Sequence, residues 1–462
     1  MRRPHALFSL LAATASLIPL ASAGYSTLIN EFVDPDFLLS DSFDDVTANA
    51  QATIIQWAEM LNAEGPWAVT TTKNVTAPSG DVHDYLSWAP YSWPNCTAVG
   101  NTTELTDEEI WSQCTYYTRD GVFNPDVRFV NNTGAFGALA DAVFYNVMAW
   151  RITGKDYYAV NASSFINTWF LDSDTAMNPN LNYGQVTRGP ETGTTGTHTG
   201  VLDLKCMSKI ASGILALRQG QAVSWTSDMD TAMKNWTTSY ISWMETNSLA
   251  LKEAASDNNH GSFYFVQLAS LYLIADNKSG ALNATQFYFD HAYQNQINAT
   301  GEQPLEAIRT RPYHYRCYNL VAMLSNARLS AYAGKEQWNT TTANGATIKN
   351  ALDFTMTVDP GDDTANELWL PVAAGAYAYG NADDSYGSFL LEKNPDFGTD
   401  PYFFWYRPTV NAAAWDSDAE KNMDSSSNST NGDRSAGGAM GQARGELAVV
   451  GTVIALAGLF LV

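Results

Sequence analysis

The stretch "GAFGALADAVFYNVMAWRITGK", residues 134–155, constrains the fold more than any other part of the chain. Phe136, Leu139, Val143, Val147 and Trp150 recur at steps of three and four residues, which lays one apolar stripe along a helix, and Gly154 supplies the residue that commonly ends one. After "KDYY" a second helical pattern follows around 163–170, so the segment reads as a helical hairpin. The arrangement returns at 204–218 with 229–244, at 261–274 with 285–297, and at 317–333 with 347–354, and Gly334-Lys335 repeats the Gly154-Lys155 ending. A single helix pair leaves apolar surface uncovered, so a degenerate series of pairs predicts neighbours stacked on one another. Strand signals are few. The expected architecture is all-α: an (α/α) toroid of helical hairpins, with alternate inner helices lining a groove.

Both ends read as processing signals. "MRRPHALFSLLAATASLIPLASAG" has a basic start, an apolar run and Ala-Ser-Ala before Gly24, the pattern of a cleaved secretory peptide. The tail "ELAVVGTVIALAGLFLV" follows a small, polar stretch, as in a GPI-attachment signal, with Ser435, Ala436 and Gly437 as candidate sites and Asn431 and Gly432 as alternatives. As a membrane helix, its run of about 16 apolar residues falls short of the roughly 20 needed to span. The expected division is a signal peptide at 1–23, one domain at 24–416, a Ser/Asn/Gly-rich stalk at 417–437 and an anchor propeptide at 438–462. Export agrees with the cysteines: Cys96 and Cys114 flank one loop-like stretch and are expected to pair, leaving Cys206 with Cys317, and no pair has metal-ligand spacing. It also agrees with the dense Asn-x-Ser/Thr sequons, among them Asn74, Asn95, Asn131, Asn161, Asn235, Asn277, Asn283, Asn298 and Asn339. A formal charge of −23 argues against nucleic acid as a partner and requires any anionic substrate to be met by local cations.

Against this scaffold stand "HDYLSWAPYSWPN" at 83–95, "YYTRDGVFNPDV" at 116–127, and the pair "NNHG" at 258–261 with "QPLEAIRTRPYHYRCYNL" at 303–320. Each has a plainer reading when taken alone. Asp257 or Asn258 can simply cap a helix, "YHY" can be aromatic packing, and Arg119 can pair with Asp120 or Asp126. In their order and separation, however, these segments resemble the alginate lyase family of polysaccharide lyases, over roughly 80–335 by motif. That family is an (α/α) toroid whose members cleave uronic acid polymers by β-elimination.

The resemblance implies a division of labour that the chemistry explains. The C5 hydrogen of a uronate is barely acidic while the neighbouring carboxylate is negative, so donors and cations must neutralise that group before a base can act. Asn259, His260 and an arginine, Arg309 or Arg311, are implied in neutralisation, where a helix N-terminus also favours an anion. Tyr315 is implied as base and acid, with Tyr313 as the alternative and a pKa lowered by the nearby arginines. Tyr85, Trp88, Tyr91 and Trp93 are candidates for stacking on sugar rings, and Arg119 for binding substrate. His198, in "RGPETGTTGTHTG", can approach the groove with Arg188. The sequence shows no metal-ligand cluster or phosphate loop, so no metal and no cofactor are expected; the resemblance implies an acidic polysaccharide as partner, and contact with a membrane is expected through the GPI anchor alone. The pattern is silent on oligomeric state.

Two other classes stay open on sequence. A toroid glycoside hydrolase would need paired carboxylic acids, and Asp84, Asp120, Asp203 and Glu306 are available. A surface protein that binds carbohydrate without turning it over is the other. Glucuronan and mannuronate-rich alginate share linkage and carboxylate, and no motif here separates them.

Overall fold

The computed structural model describes residues 30–100, 102–380 and 384–408; the expected signal peptide, stalk and anchor propeptide lie outside the described residues. In chain order the main helices are α1 (Ala48–Glu64), α2 (Asn132–Thr153), α3 (Asp156–Ile166), α4 (Met207–Gln219), α5 (Ser227–Thr246), α6 (Ser248–Ala254), α7 (Asn259–Ile274), α8 (Lys278–Asp290), α9 (Pro312–Ala333), α10 (Ile348–Thr355), α11 (Trp369–Tyr379), α12 (Ser385–Lys393) and α13 (Pro401–Tyr406). Helices α2, α4, α7 and α9 are buried on almost every side. Helices α3, α5, α8 and α10 bury one side only. That contrast separates an inner layer from an outer one, because a helix apolar all round must be enclosed by protein.

The inner layer closes on itself. α1 packs on α2, α2 on α4, α4 on α7, α7 on α9 and α9 on α11, and α13 then packs on both α11 and α1. The outer helices cover the joints: α3 lies on α2, α5 on α7, α8 on α7 and α9, and α10 on α9 and α11. This is an (α/α) toroid. Its seam is fastened by the Tyr406 hydroxyl, which donates to the Glu31 carboxylate, and by Ser325 of α9, which donates to the Asn30 carbonyl at 3.1 Å.

The two Gly-Lys endings are helix stops. Gly154 follows α2 with φ +66°, and Gly334 follows α9 with φ +115°. A Cβ at Gly154 would meet nothing within 4 Å, so only backbone conformation holds glycine there. Gly154→Ala is therefore expected to destabilise the fold by about 1 kcal/mol, measurable as a lowered midpoint in chemical denaturation with an unchanged slope.

Two expectations are corrected. The helix expected over 285–297 begins earlier, at Lys278, because the Asn277 side chain accepts from the Gly280 N–H at 2.8 Å and caps it; a 3₁₀ turn, Ala292–Asn295, follows. Cys96 and Cys114 form the expected disulfide, but Cys206 and Cys317 are free and buried. Cys206 stands just before α4 and Cys317 in the second turn of α9, two inner helices that each pack on α7, and Cys206 donates instead to Asn30 Oδ1 at 2.8 Å. Strands are confined, among the described residues, to one antiparallel ribbon, Ser92–Asn95 with Thr115–Thr118, and the disulfide pins the base of the loop that joins the two strands.

Candidate active site

The sequence before α7 sets the first half of the site. Asn258 is the cap, its side chain accepting from the His260 N–H at 3.2 Å. Asn259 and His260 therefore fall inside the first turn of α7 and not ahead of it. There the two side chains separate. Asn259 is 1 % exposed, and Glu306 grips it twice, accepting from its backbone N–H and from its Nδ2, both at 2.7 Å. Burial raises the Glu306 carboxyl, with the Asn259 donors opposing it.

His260 turns the other way, to the groove, together with His198. Both rings are held by Glu253 on α6: His198 Nδ1 lies 2.6 Å from one carboxylate oxygen and His260 Nδ1 2.7 Å from the other. The Glu253 side chain is fully buried. Burial works to raise its pKa, yet the bonds from His198 and His260 outweigh it and hold the carboxyl below its ordinary range. With an ionised Glu253 accepting from both Nδ1 atoms, the Nε2 atom of each ring is left for other partners.

The glycine-rich loop before His198 is shaped by close backbone packing. A Cβ at Gly196, in the loop, or at Gly200, just after His198, would stand 2.4 or 2.3 Å from the Gly184 carbonyl oxygen, so these backbones can pack this closely only because both positions are glycine. Thr199 then donates to Gln185 Oε1 at 2.8 Å and helps fix the 3₁₀ turn His198–Leu204.

Tyr315 belongs to the first turns of α9, again inside the helix where the sequence reading placed it just ahead. Its hydroxyl lies 3.5 Å from that of Tyr91, and the Arg309 guanidinium sits over its ring, 3.8 Å from the centroid. Arg309 also donates to Asp120 Oδ1 at 3.0 Å. The expected lowering of the Tyr315 pKa is reversed. Burial drives the phenol well above its usual value, the Tyr91 hydroxyl adds to this, and Arg309 opposes both without prevailing, its charge being already offset by Asp120. In the free protein Tyr315 is a neutral phenol.

Tyr91, His198, His260, Arg309 and Tyr315 thus line one groove, with Asp120, Gln185 and Lys252 among its other walls. The remaining candidates lie elsewhere. Arg311 pairs with Asp363 at 2.8 Å and approaches Glu367 at 3.6 Å, so it serves the 363–367 loop. Tyr313 is buried and donates to the Ala365 carbonyl at 3.3 Å. Tyr85 is a core residue, donating to Asp203 at 3.0 Å. Trp88 packs with Trp111 and Phe129 in a separate apolar cluster. Arg188 is sandwiched between Trp88 and Tyr116 and grips Asp126 with two bonds, at 2.7 and 3.0 Å, so it does not accompany His198. Trp93 and Arg119 stack on each other, 4.7 Å from guanidinium to centroid, on the ribbon beside the groove.

Glu253, Glu306 and Lys252 were not singled out by sequence as parts of this arrangement. Glu306 was considered only as a hydrolase acid, and its commitment to Asn259 removes it from that role. The other candidate acids are similarly engaged: Asp203 is buried and accepts from Tyr85, Ser87, Thr133 and Gln185, Asp84 accepts from Ser79 and Asn178, and Asp120 holds Arg309 and Thr310. No pair of uncommitted carboxyl groups faces the groove among the described residues.

His198, Glu253 and His260 are also the one trio of metal-ligand type that converges among the described residues, within 4.8 Å. Two ligands of a common tetrahedral ion stand about 3.4 Å apart. The nitrogen–oxygen separations of 2.6 and 2.7 Å are instead those of hydrogen bonds.

Comparison with known proteins matches the sequence and the fold to one family. A crystal structure of an alginate lyase from Bacteroides ovatus superposes with a TM-score of 0.71 at 25 % identity, covering 83 % of this chain and 99 % of that one. Alginate lyase A1-III from a Sphingomonas species is more distant, with a TM-score of 0.43 at 15 % identity over 79 % of this chain and 93 % of that one. A variant of that enzyme complexed with a tetrasaccharide gives 0.46 at 12 % identity, over 85 % and 99 %. No protein of curated function matches the chain. The alginate lyase family profile matches residues 68–363, a span that holds every groove residue named above and most of the ring. With its toroid and that match together, the chain belongs to the alginate lyase family and is a polysaccharide lyase.

Proposed function

We propose that the protein cleaves 4-linked uronic acid polymers, glucuronan or mannuronate-rich alginate, by β-elimination in a groove centred on Tyr315. The observation that carries this reading is the convergence of His260, Arg309 and Tyr315 on one groove from two separate sequence segments, 258–261 and 303–320. His260, anchored through Nδ1, presents Nε2 to the uronate carboxylate, and Arg309, which bonds Asp120 at 3.0 Å and lies over the Tyr315 ring, offers its remaining guanidinium donors to the same group. Asn259 supports this half of the site from beneath, as a positioning residue locked by Glu306.

In β-linked mannuronate and glucuronate the C5 hydrogen and the C4 oxygen lie on the same side of the ring, so one hydroxyl can serve both. Because burial keeps Tyr315 neutral, we assign it a relay. Its oxygen takes the C5 proton as its own proton passes to O4, the C4–O4 bond breaks and the C4–C5 double bond forms, so the phenol ends as it began. Neutralisation of the carboxylate stabilises the charge developing at C5 during this step.

We also assign the protein to the cell exterior, held there by a GPI anchor. The Cys96–Cys114 disulfide supports export. So does the exposure of the sequon asparagines: every one of those named above is at least partly accessible.

The test is ultraviolet absorbance of the conjugated double bond during incubation of the protein with glucuronan, polymannuronate and polyguluronate. A rise on one of the first two identifies the reaction and the polymer. A flat trace on all three, with saturated reducing ends released, would overturn the elimination in favour of hydrolysis.

A further inference from the structure

The groove has a second basic wall that the reaction just described does not use. On α6, Leu249 and Lys252 stand one helical turn apart and line the groove, while Glu253, the next residue, turns inward to the two histidines. Lys252 and Arg309 are the lysine and arginine side chains among the groove's lining residues. Their charges differ in availability. Arg309 is paired with Asp120, and nearby Arg311 and Arg188 are paired with Asp363 and Asp126. Lys252 is exposed and has no ion-pair partner among the described residues.

A uronan carries a carboxylate on every sugar, and the protein it approaches carries a formal charge of −23. Neutralising the carboxylate of the cleaved sugar leaves its neighbours facing a negative molecule, which disfavours binding unless a cation meets them. We infer that Lys252 binds the carboxylate of a uronate flanking the cleaved one, and so makes the groove selective for polymers charged at consecutive sugars. The inference rests on the proposed lyase reading. A lysine suits this role because its compact charge on a flexible stem follows a carboxylate whose position varies from sugar to sugar, where a planar guanidinium would demand one orientation.

The experiment compares the wild type with Lys252→Ala, Lys252→Glu and Lys252→Arg on whichever uronan it cleaves. Lys252→Ala is expected to raise KM about two- to fivefold, the range of one exposed charge pair, with a smaller change in kcat. Lys252→Glu should raise it further, and Lys252→Arg, which keeps the charge but loses the flexible point contact, should fall between the wild type and Lys252→Ala. Added salt should raise the wild-type KM more steeply than that of Lys252→Ala, because a screened contact is lost in one and already absent in the other; a merely structural role would not alter this slope. An unchanged KM and salt slope in Lys252→Glu, with cleavage intact, overturns the assignment and leaves the lyase reading standing. A wild type that neither cleaves a uronan nor binds one in titration calorimetry overturns both.

Discussion

Tyr315→Phe is expected to lower kcat on the preferred uronan by about 10²- to 10⁴-fold, the range for loss of a positioned acid–base group. The ring that packs beneath Arg309 is kept, so binding should change little and KM should stay within a few-fold of the wild type. Steady-state absorbance kinetics check this, with a denaturation curve to show that folding is unaltered. The buried hydroxyl has a second consequence. Because burial raises its pKa, a rate that climbs as the pH approaches 10 would indicate that phenolate is the working form and would sink the relay. The relay predicts no such climb. Tyr91→Phe provides the companion measurement: it removes the hydroxyl 3.5 Å away and should cost far less than the loss of Tyr315 itself.

Glu253→Gln carries the second large effect, expected as a loss of about 10- to 100-fold in activity, the range seen when the partner that orients a histidine is removed. A carboxylate accepts from both Nδ1 atoms at once, whereas a glutamine offers one acceptor and one donor, so one imidazole must turn its tautomer or its ring. The loss should therefore shrink when Glu253→Gln is introduced into a His260→Ala background, since acting through His260 is most of its role. Stability supplies an independent readout. The folded carboxyl is held below its ordinary value of 4.5, so its contribution is present above that pH and is lost as the pH falls through the depressed folded value. The variant should consequently be less stable than the wild type at neutral pH, with the difference narrowing in acid.

The ring was legible because its inner helices are apolar over long windows and two of the longest, α2 and α9, end on glycine, signals that depend on nearest neighbours. Where an expectation slipped, the deciding contact was local but weak in composition, as at Asn277, whose single side-chain bond starts α8 seven residues ahead of the position expected from the apolar pattern. The site was legible in part. Asn259, His260 and Tyr315 stood in readable order, and Tyr91 lay in a quotable aromatic run. What sequence could not convey was direction. Arg309 and Arg311 are two residues apart and face different partners, Asp120 and Asp363, supplied from positions far away in the chain. Tyr85, Trp88 and Tyr91 share one aromatic segment, yet two fill apolar interiors and one reaches the groove. Glu253 left no signal at all, since its meaning depends on His198 being brought to it by a loop 55 residues earlier.

The seam between Tyr406 and Glu31 bears on how the molecule could be rebuilt. Because α13 returns to α1 and the two ends of the described chain meet, the circular order of the helices is independent of the point at which the polypeptide enters the circle. The connection between α4 and α5, where Val223 is 87 % exposed, offers a natural new opening. A circular permutant that joins the old ends by a short linker and begins there would keep every wall of the groove in place.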